Sequence, residues 1–182
     1  MGSISPSYSN EPNIKMQSNG LLNGEPAPYT IKDAPIGTLR QVRIVTIGAG
    51  VSGINMIRTL RLHTSNFSHV VYEKNPEIGG TWFENRYPGC KCDIPSHNYQ
   101  FSHTPNPAWS ALSAGSEEIQ KYLLHVCEVH DLKKDIKLSH SVVHAEWKEE
   151  LGEWLLRVKN EITNEEFEDR CTFLLDASGI LK

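Results

Sequence analysis

The chain has 182 residues and a formal net charge of -4, room for one domain with a sizeable core but not for two full nucleotide-binding domains. Its lysines and arginines are scattered among acids instead of forming a stripe, which argues against a nucleic-acid partner. No apolar run reaches the length of a membrane span and no secretory leader opens the chain, so a cytoplasmic protein is expected, with Cys90, Cys92, Cys127 and Cys171 as reduced thiols.

Residues 1–38 are rich in Ser, Asn, Gly and Pro, and Pro6, Pro12, Pro26, Pro28 and Pro35 break any helix; a disordered arm is expected. From Val42 the pattern changes. Val42-Arg43-Ile44-Val45-Thr46-Ile47 is a β-branched run suited to a strand buried on both faces. Ile54, Ile57 and Leu60 then recur at helical spacing up to His63, and residues 69–73 read as a second short strand, completing a βαβ unit.

Residues 75–114 are dense in Gly, Pro, Asn and aromatics, too long a connection to be functionless in a compact domain. Ser116 is expected to cap a helix whose first turn carries Glu117 and Glu118 and whose apolar face is Ile119, Tyr122, Leu123, Val126 and Cys127. A short strand at 136–138 follows. Residues 142–147, 154–158 and 167–175 read as a small antiparallel β-meander, and 172–176 is apolar enough to return to the main sheet. The fold class is therefore α/β, Rossmann-like, with a central parallel sheet and a small antiparallel β-meander.

Gly48-Ala49-Gly50-Val51-Ser52-Gly53 fits G-x-G-x-x-G between a predicted strand and a predicted helix. Gly48 makes the sharp turn, Gly50 lets a pyrophosphate approach, and Gly53 lets the helix pack on the strand, while the helix N-terminus directs N–H groups at the phosphates. Glu73, twenty residues past Gly53, is placed for an adenosine ribose. An acid there disfavours a 2′-phosphate and leaves FAD or NAD. Further on, Gly79-Gly80-Thr81-Trp82 sets two permissive backbone positions beside a large aromatic. Chemistry alone leaves open a surface for a planar ring or a glycine turn with a core tryptophan. Cys90 and Cys92, even with His97 and His103 near them, lack zinc spacing, and no metal site is expected.

Residues 79–102, with Asn85-Arg86-Tyr87-Pro88-Gly89, Cys92-Asp93-Ile94-Pro95-Ser96-His97, Tyr99 and Gln100-Phe101-Ser102, closely resemble the flavin-binding segment of Baeyer-Villiger monooxygenases, the class B flavin monooxygenases. The likeness continues through Pro105 to Ser110, Glu118-Ile119, Tyr122-Leu123, Val142, Ala145, Trp147 and Ala177-Ser178-Gly179. It implies an FAD-binding domain over residues 39–182, with FAD on Gly48, Gly50, Val51, Ser52, Gly53 and Glu73. By the same likeness Thr81, Trp82, Asp93 and Tyr99 line the flavin, and Val142 touches the adenine through its backbone. Lys91, Cys92 and Asp93, with Ile94 beside them, face the nicotinamide of NADPH. Asp93, set near Lys91 and Arg86, is the candidate catalytic residue, tuning charge at the flavin.

Family members use NADPH and dioxygen to insert an oxygen into a ketone-like small molecule. Lys91 and Ser178 depart from the usual arginine and threonine of the family, and lysine cannot reproduce a bidentate guanidinium contact. The sequence holds no second glycine fingerprint for NADPH. The expectation is thus the N-terminal FAD-binding portion of such an enzyme, without the NADPH domain and the later part of the FAD domain. The alternative is a truncated, non-catalytic FAD-binding or interaction module that assists another enzyme, and a partner protein could supply the remaining parts.

Overall fold

A computed structural model describes residues 35–180. The chain divides into two units, Met1–Thr38 and Leu39–Lys182. In the first, the described part is a turn in which the Thr38 N–H donates to the Pro35 carbonyl at 3.1 Å; the rest of the expected arm lies outside the described residues.

In the second unit the β-branched run forms β1 (Val42–Ile47), followed by α1 (Val51–His63) and β2 (Phe67–Tyr72). The long connection contains a one-turn helix, α2 (Thr81–Glu84), and a 3-10 turn at Ser96–Asn98. After it come α3 (Ser116–Val129), β3 (Ile136–Lys137), β4 (His140–Lys148), β5 (Glu153–Asn160), β6 (Glu166–Cys171) and β7 (Phe173–Asp176). The main sheet has the order β3-β2-β1-β7 and is parallel throughout, while β4-β5-β6 form the antiparallel meander.

Two expectations shift in detail. Gly115, not Ser116, occupies the cap position of α3, and Ser116 is its first helical residue, buried at 7% exposure. The predicted strand 167–175 is broken at Thr172, whose N–H donates to Arg43 O at 2.8 Å, so the chain leaves the meander there and joins β1.

The pleat of the parallel sheet explains its two cores, because successive side chains point to opposite faces. Val45, Val70 and Tyr72 meet Leu156, Val158 and Cys171 of the meander. On the other face Val71 packs with Ile54 and Ile57 of α1 and Ile119, Leu123 and Val126 of α3. Each fully buried aliphatic side chain contributes roughly 1.5–3 kcal/mol, so the sheet is held from both sides, as a parallel sheet requires.

A polar clamp joins the layers through the meander core. Arg43 donates from Nε and Nη2 to Asp169 at 3.1 and 2.6 Å, and the Tyr72 hydroxyl donates to the same carboxylate at 2.8 Å. Burial pushes the Asp169 carboxyl up, but these hydrogen bonds outweigh it and leave the group below the usual range. The Tyr72 hydroxyl moves upward, through burial first and its bond to Asp169 second.

Candidate functional site

A cavity of about 460 Å³ opens at the carboxyl ends of β1, β2 and β7. Because β1 has β2 on one side and β7 on the other, this is the switch point of an open parallel sheet, where such folds take ligands. Gly48, Gly50, Val51, Ser52, Glu73, Thr81, Trp82 and Val142 all line it, as do Gly79, Gly80 and Ala177-Ser178-Gly179.

The glycines divide by mechanical role. Gly48 has φ +96°, and a Cβ there would lie 2.7 Å from the Ala177 carbonyl oxygen, so the turn must be glycine for β7 to approach. A Cβ on Gly53 would sit 2.0 Å from Gly48 O, which fixes the helix against the turn. Gly50 is different: its φ is -78°, and the nearest atom to an added Cβ is Gly80 Cα at 3.6 Å, an ordinary contact. The fold leaves room at Gly50 that a ligand can fill. Gly50 caps α1 without a side chain, and the first intrahelical bond is Ile54 N–H to Gly50 O at 3.0 Å. The N–H groups of Val51, Ser52 and Gly53 precede that bond and form an anion-attracting helix start.

Glu73 follows directly on β2 and is buried at 4% exposure. Its Oε2 accepts the Ala49 N–H at 2.7 Å and its Oε1 accepts the Asn75 N–H at 2.8 Å. The carboxylate therefore holds the glycine turn in place, a role that its spacing from Gly53 did not reveal. Ala49 also ties in the second glycine motif, since its carbonyl accepts the Gly79 N–H at 3.0 Å. Gly80, at φ +54°, lies against Gly50, where a Cβ would come within 3.0 Å of Gly50 Cα. The two glycine motifs thus form one backbone contact across the cleft.

Trp82 is 8% exposed and belongs to the helix-side core, while also lining the cavity. Tyr99 packs edge-on against it with ring centroids 5.1 Å apart. The Tyr99 hydroxyl donates to Asp93 Oδ1 at 2.7 Å; this bond holds the Asp93 carboxyl below its usual range and pushes Tyr99 up to about 12. The expected proximity of Asp93 to Arg86 is not seen in the bonding. Arg86 donates from Nε to Phe83 O at 2.7 Å and stacks over the Phe83 ring, 4.6 Å from its centroid.

Residues 91–94 and Tyr99 lie outside the lining of the main cavity. Lys91 bridges Gly115 and lines a second depression with Arg86, Tyr87 and Lys121. Cys92 points into the core at 1% exposure, drawn in by its N–H to Ala114 O at 3.0 Å and by Ser96 Oγ, 3.8 Å from its sulfur. Ile94 is exposed. Lys74, Glu84, His140, Ser141 and Asp176 line the main cavity without having been singled out in the sequence. Position immediately after Glu73 was the available signal for Lys74. His140 and Ser141 arrive because the Glu73 N–H donates to Lys137 O and the His140 N–H to Glu73 O, at 2.9 and 2.8 Å, lacing β4 to the end of β2. A register shift between Val142 and His144 then bends β4 beside the cavity.

Among the described residues no group of three or more His, Cys, Asp and Glu side chains is placed to hold a metal ion. No helix among them is long and apolar enough to cross a membrane.

The family profile of the NAD(P)-binding Rossmann-like domain matches residues 46–114. The FAD-binding monooxygenase moxY of Dothistroma septosporum is 47% identical over 145 residues, covering 78% of this chain and 23% of that protein. A Baeyer-Villiger monooxygenase of Streptomyces coelicolor is 40% identical over 114 residues, 62% of this chain and 22% of that one. The crystal structure of OTEMO in complex with FAD and NADP superposes with a TM-score of 0.68 at 29% identity, over 76% of this chain and 25% of that one. The chain thus spans about a quarter of the length of the proteins it matches.

Proposed function

On the premise that this chain belongs to the Baeyer-Villiger-type FAD-binding monooxygenases, we propose that residues 39–182 hold FAD in the cleft at the ends of β1, β2 and β7. The observation that carries this reading is Gly50, where the fold itself tolerates a Cβ, its nearest neighbour being 3.6 Å away; the absent side chain leaves space before the helix start for a pyrophosphate. Val51, Ser52 and Gly53 would offer their N–H groups to it. Gly48 keeps the turn tight, and Glu73 would accept from the ribose while holding Ala49. Val142 would border the adenine through its backbone and Thr81 and Trp82 the flavin, with Tyr99 packed edge-on against Trp82.

FAD, when bound, supplies the redox chemistry by which NADPH and dioxygen oxidise an organic molecule. The activity we assign to the whole protein is insertion of one oxygen into a ketone-like small molecule. In that reading Lys91, Asp93 and Ile94 border the approach of NADPH, and Cys92, buried in the core, anchors the segment that carries them. Asp93 acts as a fixed negative charge, kept ionised by the Tyr99 hydroxyl that donates to it at 2.7 Å. A second reading, a non-catalytic FAD-binding or interaction module assisting another protein, is favoured by the position of Asp93 outside the cavity lining.

The test is direct. Purified chain incubated with FAD and desalted should retain the visible absorption of a bound flavin; loss of all flavin refutes both readings. Ketone-dependent consumption of NADPH by the flavin-loaded chain supports the monooxygenase reading, and bound flavin without turnover supports the module.

A further inference from the structure

We propose that Glu84, through its ion pair with Lys74, makes the adenosine end of the cleft reject a 2′-phosphate, so that Glu84 is a specificity-determining residue. The proposal rests on the cleft being a dinucleotide site. Lys74 directly follows the ribose-facing acid Glu73 and lines the same cavity. A cation next to that acid is the kind of group that accommodates a 2′-phosphate in dinucleotide folds, so Lys74 is a means by which the site could take one despite Glu73.

The structure removes that means. Lys74 Nζ lies 2.8 Å from Glu84 Oε1, and Asn75 Nδ2 donates to the same oxygen at 2.9 Å. The Asn75 backbone N–H in turn donates to Glu73 Oε1 at 2.8 Å, so one asparagine bridges two carboxylates at this corner. Glu73, Glu84 and Lys74 together carry one net negative charge, and all three line the cavity. Turning Lys74 to a phosphate would break its pair with Glu84 and bring a dianion toward two carboxylates. Glu84 comes from the end of α2, eleven positions after Glu73, so the rule that looks for an acid at the end of the second strand does not find it.

The experiment compares 5′-ADP with its 2′-phosphorylated counterpart, titrated calorimetrically into the purified chain. The parent should prefer 5′-ADP. In Glu84→Gln the affinity for the 2′-phosphorylated compound should gain roughly fivefold relative to that for 5′-ADP. In the double variant Lys74→Gln with Glu84→Gln that gain should vanish, because the released cation is gone. An unchanged preference in Glu84→Gln, or a gain that persists in the double variant, overturns the proposal. If the parent binds neither 5′-ADP nor FAD, the FAD reading itself fails and this inference fails with it.

Discussion

Gly50 and Gly53 stand three positions apart in the same motif, yet alanine should act on them in opposite ways. At Gly53 the new Cβ would lie 2.0 Å from Gly48 O, more than an ångström inside ordinary contact, and that carbonyl cannot retreat freely because the Gly48 N–H is bonded to Tyr72 O at 2.8 Å. Overpacking of this kind costs about 3 kcal/mol or more, which in a domain of this size lowers the melting temperature by about 10 °C. At Gly50 the cap position loses about 0.5–1 kcal/mol on going to alanine, and reduced freedom of the unfolded chain returns about 0.4–1 kcal/mol. The two nearly cancel. Gly50→Ala should therefore melt within about 2 °C of the parent without ligand, while its affinity for FAD falls at least about tenfold, or 1.4 kcal/mol. Circular dichroism melts and a fluorescence titration of FAD measure the two effects separately. Undiminished FAD binding in Gly50→Ala, or a loss of apo stability matching that of Gly53→Ala, would refute the division of roles drawn from the geometry.

Three further outcomes are expected. Asp169→Ala removes the acceptor shared by Arg43 and Tyr72 and should cost about 2 kcal/mol, a figure kept low because the Arg43 side chain is 40% exposed; an unchanged urea midpoint would contradict the clamp. Glu73→Gln leaves one acceptor oxygen where two N–H groups now donate, so hydrogen exchange at Ala49 or Asn75 should accelerate by about tenfold or more; retained protection at both would show that the carboxylate does not hold the turn. Burial lowers His69 from 6.5, opposed by Asp135 and assisted by Arg61, and burial lowers His103 as well, assisted by Arg58 and His130. The unfolded chain therefore takes up these protons first: stability is complete above pH 6.5 and declines as pH falls below it. Melting temperatures followed from about pH 8 to about pH 5 should show that decline, and His69→Gln should flatten it; an identical slope in the variant would remove His69 from the account.

Much of the architecture was legible because it is written in periodicity. The run at Val42–Ile47, the helical stripe of α3 and the alternating meander each declare the face they bury. The glycine fingerprint was legible for the same reason, since only glycine satisfies the contacts at Gly48 and Gly53. What stayed hidden depends on distant parts of the chain. Glu73 reads as a ribose acid from its spacing, but its bond to Ala49 exists only once β2 lies beside β1. The break at Thr172 reflects its bonds to Arg43, which no local pattern announces. Asp93 is near Arg86 in the sequence, yet the hydrogen bonds of each go elsewhere, the Asp93 carboxylate to the Tyr99 hydroxyl and the Arg86 Nε to Phe83 O. His140 and Ser141 carry no motif and reach the cleft through the lacing of β4 to Glu73.

The close approach of Ala177 to Gly48 also sets a timetable for folding. β1 pairs with β2 after one short helix, but its other edge waits for β7, and the Arg43 N–H meets Thr172 Oγ1 across 129 positions. Contacts so distant in sequence form late, after the chain has closed its nearer loops. On a ribosome the βαβ half would be complete while the meander and β7 were still to come. The cavity at the ends of β1, β2 and β7 is therefore among the last features to exist, and a ligand could engage it fully only after nearly the whole described chain had been made.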